Sequence, residues 1–298
     1  MDRTTQAPTN ARLREVLDRA GQVVIIEAPP GEEDEPGRPR TVVTGDDIAE
    51  LAGLLAVVDG GTGDLCRCLG WPAVRVYGRD GERIADWSLH HQAGLRGLGD
   101  SDADLVDGPA LTEWLAGRGL TGSREAQEWL AAEEEREERR RRRWIGAAPA
   151  GLAEVAAEVA APPGRDDEAW SDALDEAERR FVALALELYP EAAVRIPLLL
   201  AWAGVKTRES TGGSTWYDQV VISRLLDEEP ALVLAALAGD EPPSAAQLDG
   251  ASELFAGLAW TRAHGRVLPE PVRSRLSAHI EADGTGTMRW RLAHGCYG

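Results

Sequence analysis

Apolar positions change their spacing several times along residues 1–121, and each change marks an element. Leu13 and Val16–Leu17 share one side of a short polar stretch, predicting a helix over Arg12–Ala20. Val23–Ile26 is a β-branched run, and Thr41–Val43 is a second short one across a Pro/Gly loop at Pro29–Arg40. Ile48, Leu51, Leu54 and Leu55 recur at helical spacing after Asp46–Asp47, predicting a helix through Val57. Val74–Tyr77 and Ile84–Leu89 alternate around Arg79-Asp80-Gly81, and Asp-Gly between two alternating runs predicts a β-hairpin. Leu111, Trp114 and Leu115 then line one face of a short helix over Pro109–Leu120, with Gly119 at its end.

From Pro149 onward the period is helical throughout. Leu152, Val155, Ala156 and Val159 make one stripe, and Trp170, Leu174, Ala177, Phe181, Leu184, Ala185 and Leu188 make a longer one. Val194–Trp202 is apolar nearly all round and reads as a central helix, with Pro197 either kinking it or lying in its first turn. Further helices are expected at Tyr217–Leu226, at Pro230–Ala238 between a first-turn Pro and Gly239, and at Ala245–His264 capped by Ser244. Pro271–Ala282 and Thr287–Ala293 complete the set.

Between these regions, Gly122–Ile145 has strong helix formers, no breaker, and Glu-to-Arg pairs at i,i+4 such as Glu135–Arg139 and Glu138–Arg142. The expected organisation is a small α+β domain with a largely antiparallel sheet at 1–121, a charged connector helix at 122–145, and an all-α helical-array domain at 146–298. Such a connector would reach roughly 35 Å. Its five consecutive arginines, Arg139–Arg143, turn by about 100° per residue and spread around the helix, so they do not form one basic face.

Charge narrows the partners. The net charge is −19, which is repulsive toward nucleic acid and anionic membranes. All basic side chains but Lys206 are arginine; with abundant Ala, Gly and Leu this points to a high-GC bacterial genome before it points to anion recognition. The polar start lacks an apolar signal core, no apolar run is long enough to span a bilayer, and three cysteines make no secreted disulfide framework. A bacterial cytoplasm with reduced thiols is the expected setting.

Candidate chemistry is concentrated in one place. Four of the chain's three cysteines and five histidines, namely Cys66, Cys68, His90 and His91, fall within 26 residues around the hairpin. Residues i and i+2 of an extended segment face the same side, so Cys66 and Cys68 can reach one ion, and the second hairpin strand returns His90–His91 to their level. Thiolate and imidazole are the ligands zinc prefers. Alternating strand geometry places His90 and His91 on opposite faces, so only one of them is expected to ligate easily. A reactive CxC thiol pair is the alternative use of the cysteines.

The Gly-rich stretches Asp59–Asp64 and Ser210–Thr215 lack the spacing of phosphate-binding loops and are expected to be turns. Cys296 beside His294 lies at the terminus, where little holds a nucleophile in place. Trp71, Trp87, Trp202, Trp216 and Trp260 are expected to be mainly core anchors. No catalytic signature is present. The expected function is therefore a non-catalytic protein–protein interaction or adaptor module with a protein partner, the alternatives being a metal- or thiol-dependent enzyme or sensor at the Cys/His cluster, or a structural zinc site there.

Overall fold

The computed structural model describes residues 6–29, 31–63, 65, 67–163, 167–208 and 215–298. It has a six-stranded antiparallel sheet in its N-terminal region and is helical from there on. The chain forms two compact units, Met1–Glu135 and Arg136–Gly298.

In the first unit, β1 (Ala20–Ile26) and β2 (Arg40–Val43) pair antiparallel, and β3 (Ala73–Gly78) with β4 (Arg83–His90) form the hairpin. Two short strands, β5 (Gly94–Arg96) and β6 (Ala103–Asp104), extend the sheet in the order β2-β1-β3-β4-β5-β6. Strands of three and two residues carry no readable alternation, so sequence pattern alone does not reveal them.

Register explains the core. Val43, Val23 and Val76 face one another across three strands, as do Ile25, Val74 and Trp87, and all six are buried. Leu13 and Leu17 of α1 (Asn10–Asp18), Ile48 and Leu51 of α2 (Asp47–Leu54), and Leu111 and Leu115 of α3 (Gly108–Ala116) join the same cluster. The stripes read from the sequence thus meet on one sheet face.

The charged helix α4 spans Gly122–Gly146. It is not merely a solvated rod. Within the first unit, Gly122 N donates to Glu27 (2.6 Å) and Gln127 Nε2 donates to the Gln92 carbonyl (3.2 Å). Within the second unit, Trp144 is buried, its ring 4.5 Å from that of Trp202 and 5.0 Å from that of Tyr217. Hydrogen bonds near its start and the buried Trp144 near its end each hold this charged helix locally.

The second unit continues with α5 (Ala153–Val159), α6 (Asp167–Leu188), α7 (Ala192–Thr207), α8 (Trp216–Leu226), α9 (Pro230–Ala238), α10 (Ala245–Ala256), α11 (Leu258–His264), α12 (Val272–Asp283) and α13 (Gly286–Ala293). Pro197 sits inside α7, beyond its first turn. The helix expected over Ala245–His264 is two helices. Gly257 adopts extended backbone (φ −65°, ψ 141°), ending α10 and opening α11. Ser244 caps α10 as expected, accepting from Gln247 N (3.3 Å).

α7 and α10 cross at glycines. A Cβ on Gly250 would stand 1.9 Å from the Leu200 carbonyl oxygen, and one on Gly204 2.1 Å from that of Ala246. Backbone cannot yield as a flexible side chain does, so Gly250→Ala is expected to destabilise the helical unit by about 1–3 kcal/mol. That outcome opposes the roughly 1 kcal/mol helix-propensity advantage of Ala over Gly. Urea unfolding checks it against Gly286→Ala, where nothing lies within 4 Å and stability should hold; equal midpoints for both variants would contradict the close crossing.

Candidate metal centre

Cys68 lies in the loop that enters β3, and backbone contacts lay this loop along β4. Trp71 N donates to the Leu89 carbonyl (2.7 Å), and Leu89 N donates to the Pro72 carbonyl (3.1 Å). Gly70 permits the close approach. It has φ +72°, and a Cβ there would stand 2.7 Å from both the Leu89 carbonyl oxygen and Ser88 Oγ. Cys68 is thereby delivered to the end of β4, where its Sγ lies 3.1 Å from His90 Nδ1.

His91 corrects the expectation from strand geometry. β4 ends at His90, and the chain turns through left-handed backbone at His91 (φ +48°) and Gln92 (φ +58°) before β5. Alternation stops where the strand stops. The His91 ring therefore comes back to 4.2 Å from the His90 ring, centroid to centroid. Ligand atoms of Cys68, His90 and His91 all lie within 4.8 Å of one another. Cys66 lies outside the described residues.

Two further side chains, without any sequence signal, surround this group. Asp102 is buried at 2% exposure and accepts both guanidinium arms of Arg96: Nε to Oδ1 and Nη2 to Oδ2, each 2.8 Å. Arg96 also donates from Nη1 to the Cys68 carbonyl. Hydrogen bonding to Asp102 strengthens the hold of Arg96 on its proton against the effect of burial, and the Cys68 sulfur lies within the guanidinium's influence. Positive charge beside a sulfur favours its thiolate, the form that ligates metals. His90 Nε2 faces Asp102 Oδ2 at 3.7 Å. Burial pushes His90 below the ordinary histidine value and His91 adds to the effect, while Asp102 opposes it.

Beside the cluster is a cavity of about 430 Å³, with Cys68, Leu69, Trp71, His91, Gln92 and Trp129 in its wall. Gln92 is nearly fully buried; its Nε2 donates to the Trp71 carbonyl (2.9 Å), which fixes the orientation of the amide. Leu69 and Trp129 are 65% and 61% exposed, unusual for side chains of this size. The five tryptophans expected as core anchors divide: Trp87, Trp202 and Trp260 are buried, whereas Trp71 and Trp216 are half-buried.

Among the described residues the remaining candidates do not come together in a site. Residues 209–214 of the Ser210–Thr215 loop lie outside the described residues, and Thr215 caps α8 with Asp218 in a reciprocal capping box. Gly61 and Thr62 of the Asp59–Asp64 stretch pack beside Ser101 and Asp102; the Thr62 amide donates to the Asp102 carbonyl (2.8 Å). His294 stacks on Trp290, with centroids 4.1 Å apart, and its Nδ1 contacts the Trp290 carbonyl at 2.7 Å.

Chemically, Cys68, His90 and Asp102 also stand in the order of a thiol–imidazole–carboxylate relay. Asp102 is poorly placed for that role. Both of its oxygens are engaged by Arg96, and 3.7 Å is too long for a hydrogen bond to His90. The three-ligand grouping is the better use of the same atoms. No family model, curated protein or solved structure matches this chain.

No helix among the described residues is long and apolar enough to cross a membrane.

Proposed function

We propose that the N-terminal unit is a metal-binding module that holds a zinc-class ion on Cys68, His90 and His91. The observation that supports it is the approach of one sulfur and two imidazoles to within 4.8 Å of one another. Tetrahedral coordination at ordinary Zn–S and Zn–N lengths places such atoms about 3.3–3.6 Å apart. The Cys68–His90 separation of 3.1 Å is already close to this, so adjustment falls mainly on the exposed His91.

The donor set selects the ion. One thiolate with two imidazoles suits zinc and its neighbours, and not calcium or magnesium, which take oxygen ligands. Three protein ligands leave a fourth position for water, a bound molecule or Cys66. A centre with an open position is suited to catalysis or sensing; a closed one is structural. Asp102 Oδ2 lies 3.7 Å from Nε2 of His90, too far for a hydrogen bond, so it would act on the imidazole through its charge, leaving Nδ1, on the Cys68 side, to hold an ion.

Metal analysis of protein purified under reducing, chelator-free conditions tests this. The expected result is about one zinc per chain, lost in Cys68→Ala with the circular-dichroism spectrum unchanged, because Cys68 is only half-buried. Retention of folding after chelation identifies an open centre, and unfolding identifies a structural one. Protein without metal would overturn the metal reading and leave the protein-partner role, for which exposed Leu258, Val267 and Trp290 of the helical unit would supply contacts.

A further inference from the structure

We infer that the surface formed by α11, the loop after it and α13 docks an acidic segment of a partner protein that presents a large apolar side chain. The inference is independent of the metal centre, which belongs to the other unit.

Charge sets this surface apart. The chain as a whole carries −19, yet residues 258–298 hold six arginines against three acids, net +3. Three of these arginines are engaged. Arg273 pairs with Glu270 and Arg291 with Glu253, each at 2.8 Å, and Arg275 donates to the Leu237 and Gly239 carbonyls. The other three, Arg262, Arg266 and Arg289, are exposed and make no ion pair among the described residues. Arg289 acts on Asp283 through charge, but Arg208 already holds that carboxylate at 2.9 Å. Among the described residues, Glu281 is the one acid of the segment without a partner of its own. Three uncommitted cations therefore stand against one uncommitted carboxylate.

Large apolar side chains lie among these cations. Leu258 and Arg262 are four residues apart on α11 and share a face, while Trp260 buries the opposite side. On α13, Arg289 and Trp290 are exposed beside buried Met288. The tail then turns back, with Cys296 N donating to the Arg291 carbonyl at 3.0 Å. Gly298 reaches the loop after α11, where a Cβ on it would stand 2.8 Å from Val267 Cα. The end of α13 and the loop carrying Arg266 and Val267 thus adjoin. Leu258 is 60%, Val267 73% and Trp290 59% exposed. Exposed Trp among Arg is the composition of interface hot spots.

The occupant follows from these groups. Carboxylates satisfy the arginines and can accept from the indole N–H of Trp290, which has no acceptor among the described residues. An apolar side chain covers Val267 and Leu258. A second copy is a poor occupant, because two chains of −19 repel. A nucleic-acid strand would carry its phosphates past the patch onto a chain whose other residues sum to −22. Leu258 and Val267 also offer its bases no ring to stack on.

Fluorescence anisotropy of the full-length protein with a short labelled peptide of glutamates and two leucines tests this at low salt. Saturable binding is expected. Arg262→Glu/Arg266→Glu should weaken it about tenfold or more, and Trp290→Ser about tenfold. All three positions are exposed, so folding should be kept by circular dichroism. Arg79→Glu reverses an exposed arginine of the first unit and should change the midpoint less than about twofold at about 0.1 M salt. No binding would overturn the inference, as would equal binding of a peptide with glutamine for glutamate or serine for leucine. An Arg79→Glu effect as large as that of the patch variants would overturn it in favour of general charge. Tighter binding of an oligouridylate would make the surface a nucleic-acid face instead. Self-association in light scattering that Arg262→Glu/Arg266→Glu abolishes would make the occupant a second copy. Each of these outcomes leaves the metal reading untouched.

Discussion

Glu228→Ala is expected to destabilise the helical unit by about 3–5 kcal/mol, the cost of stranding buried charge. Glu228 is 5% exposed and lies between two arginines that are themselves buried. Arg195 reaches it with two parallel bonds, Nε to Oε1 at 2.7 Å and Nη2 to Oε2 at 2.8 Å, and Arg224 Nη2 lies 2.6 Å from Oε1. Arg195 also donates to the carbonyls of Tyr189 and Pro190, so it ties the start of α7 to the segment before it and, through Glu228, to the turn after α8. Removing the carboxylate leaves Arg224 facing Asp227, at 3.8 Å and largely exposed, and among the described residues its Nε already lacks a hydrogen-bond partner.

The pH dependence of this cluster has a definite sign. Burial alone would raise the Glu228 carboxyl, but the bonds from Arg195 and the charge of Arg224 outweigh burial and hold it below the usual carboxylate range. A carboxyl depressed by folding contributes stability that is complete above its unfolded value and is lost as pH falls through the folded one. Glu228→Gln imitates the protonated form. It should therefore cost stability at neutral pH, and its difference from the wild type should shrink on acidification. Urea unfolding of both proteins across the acid range measures this. A gap that stays constant with pH would show that the ion cluster does not contribute through charge.

Most of the scaffold was legible because it is built on long periodic stripes. α6, α8 and α9 fall where Trp170–Leu188, Tyr217–Leu226 and Pro230–Ala238 predict helices, and the hairpin falls around Asp80–Gly81. The errors share a cause. β5 and β6 are too short for a period, and the α10–α11 break depends on the backbone of the single residue Gly257.

At the site, residue type and spacing pointed to Cys68, His90 and His91, but strand alternation argued for separating the two histidines. What joins them is left-handed backbone at His91 and Gln92, a conformation uncommon outside glycine and invisible in a hydrophobic pattern. Arg96 and Asp102 were illegible for another reason. In a chain this rich in Arg and acids, one pair six residues apart carries no signal until the sheet edge brings it under the cluster.

That pair also ties the fold to the proposed chemistry. Asp102→Ala is expected to cost the N-terminal unit about 2–4 kcal/mol, somewhat less than a fully buried pair because Arg96 remains 20% exposed. Two hydrogen bonds to the guanidinium disappear together, while that from Arg96 to the Cys68 carbonyl is kept. The effect then reaches the centre from two directions. The loop holding Cys68 loses a fixed partner, and His90 loses the carboxylate facing its Nε2. Loss of a hydrogen-bonded supporting group typically lowers metal affinity about 10–100-fold; acting through charge at 3.7 Å, Asp102 is expected to give a loss at or below the lower end of that range. Asp102→Asn should fall between, since it can still accept from Arg96 but carries no charge.

Competition against a chromophoric chelator measures the affinity, and hydrogen exchange of the β3 and β4 amides measures the stability of this unit. The two readouts separate the roles. Lost stability with unchanged metal affinity would make Asp102 a framework residue alone, whereas weakened binding in Asp102→Asn at nearly full stability would show that the carboxylate charge acts on the ion through His90.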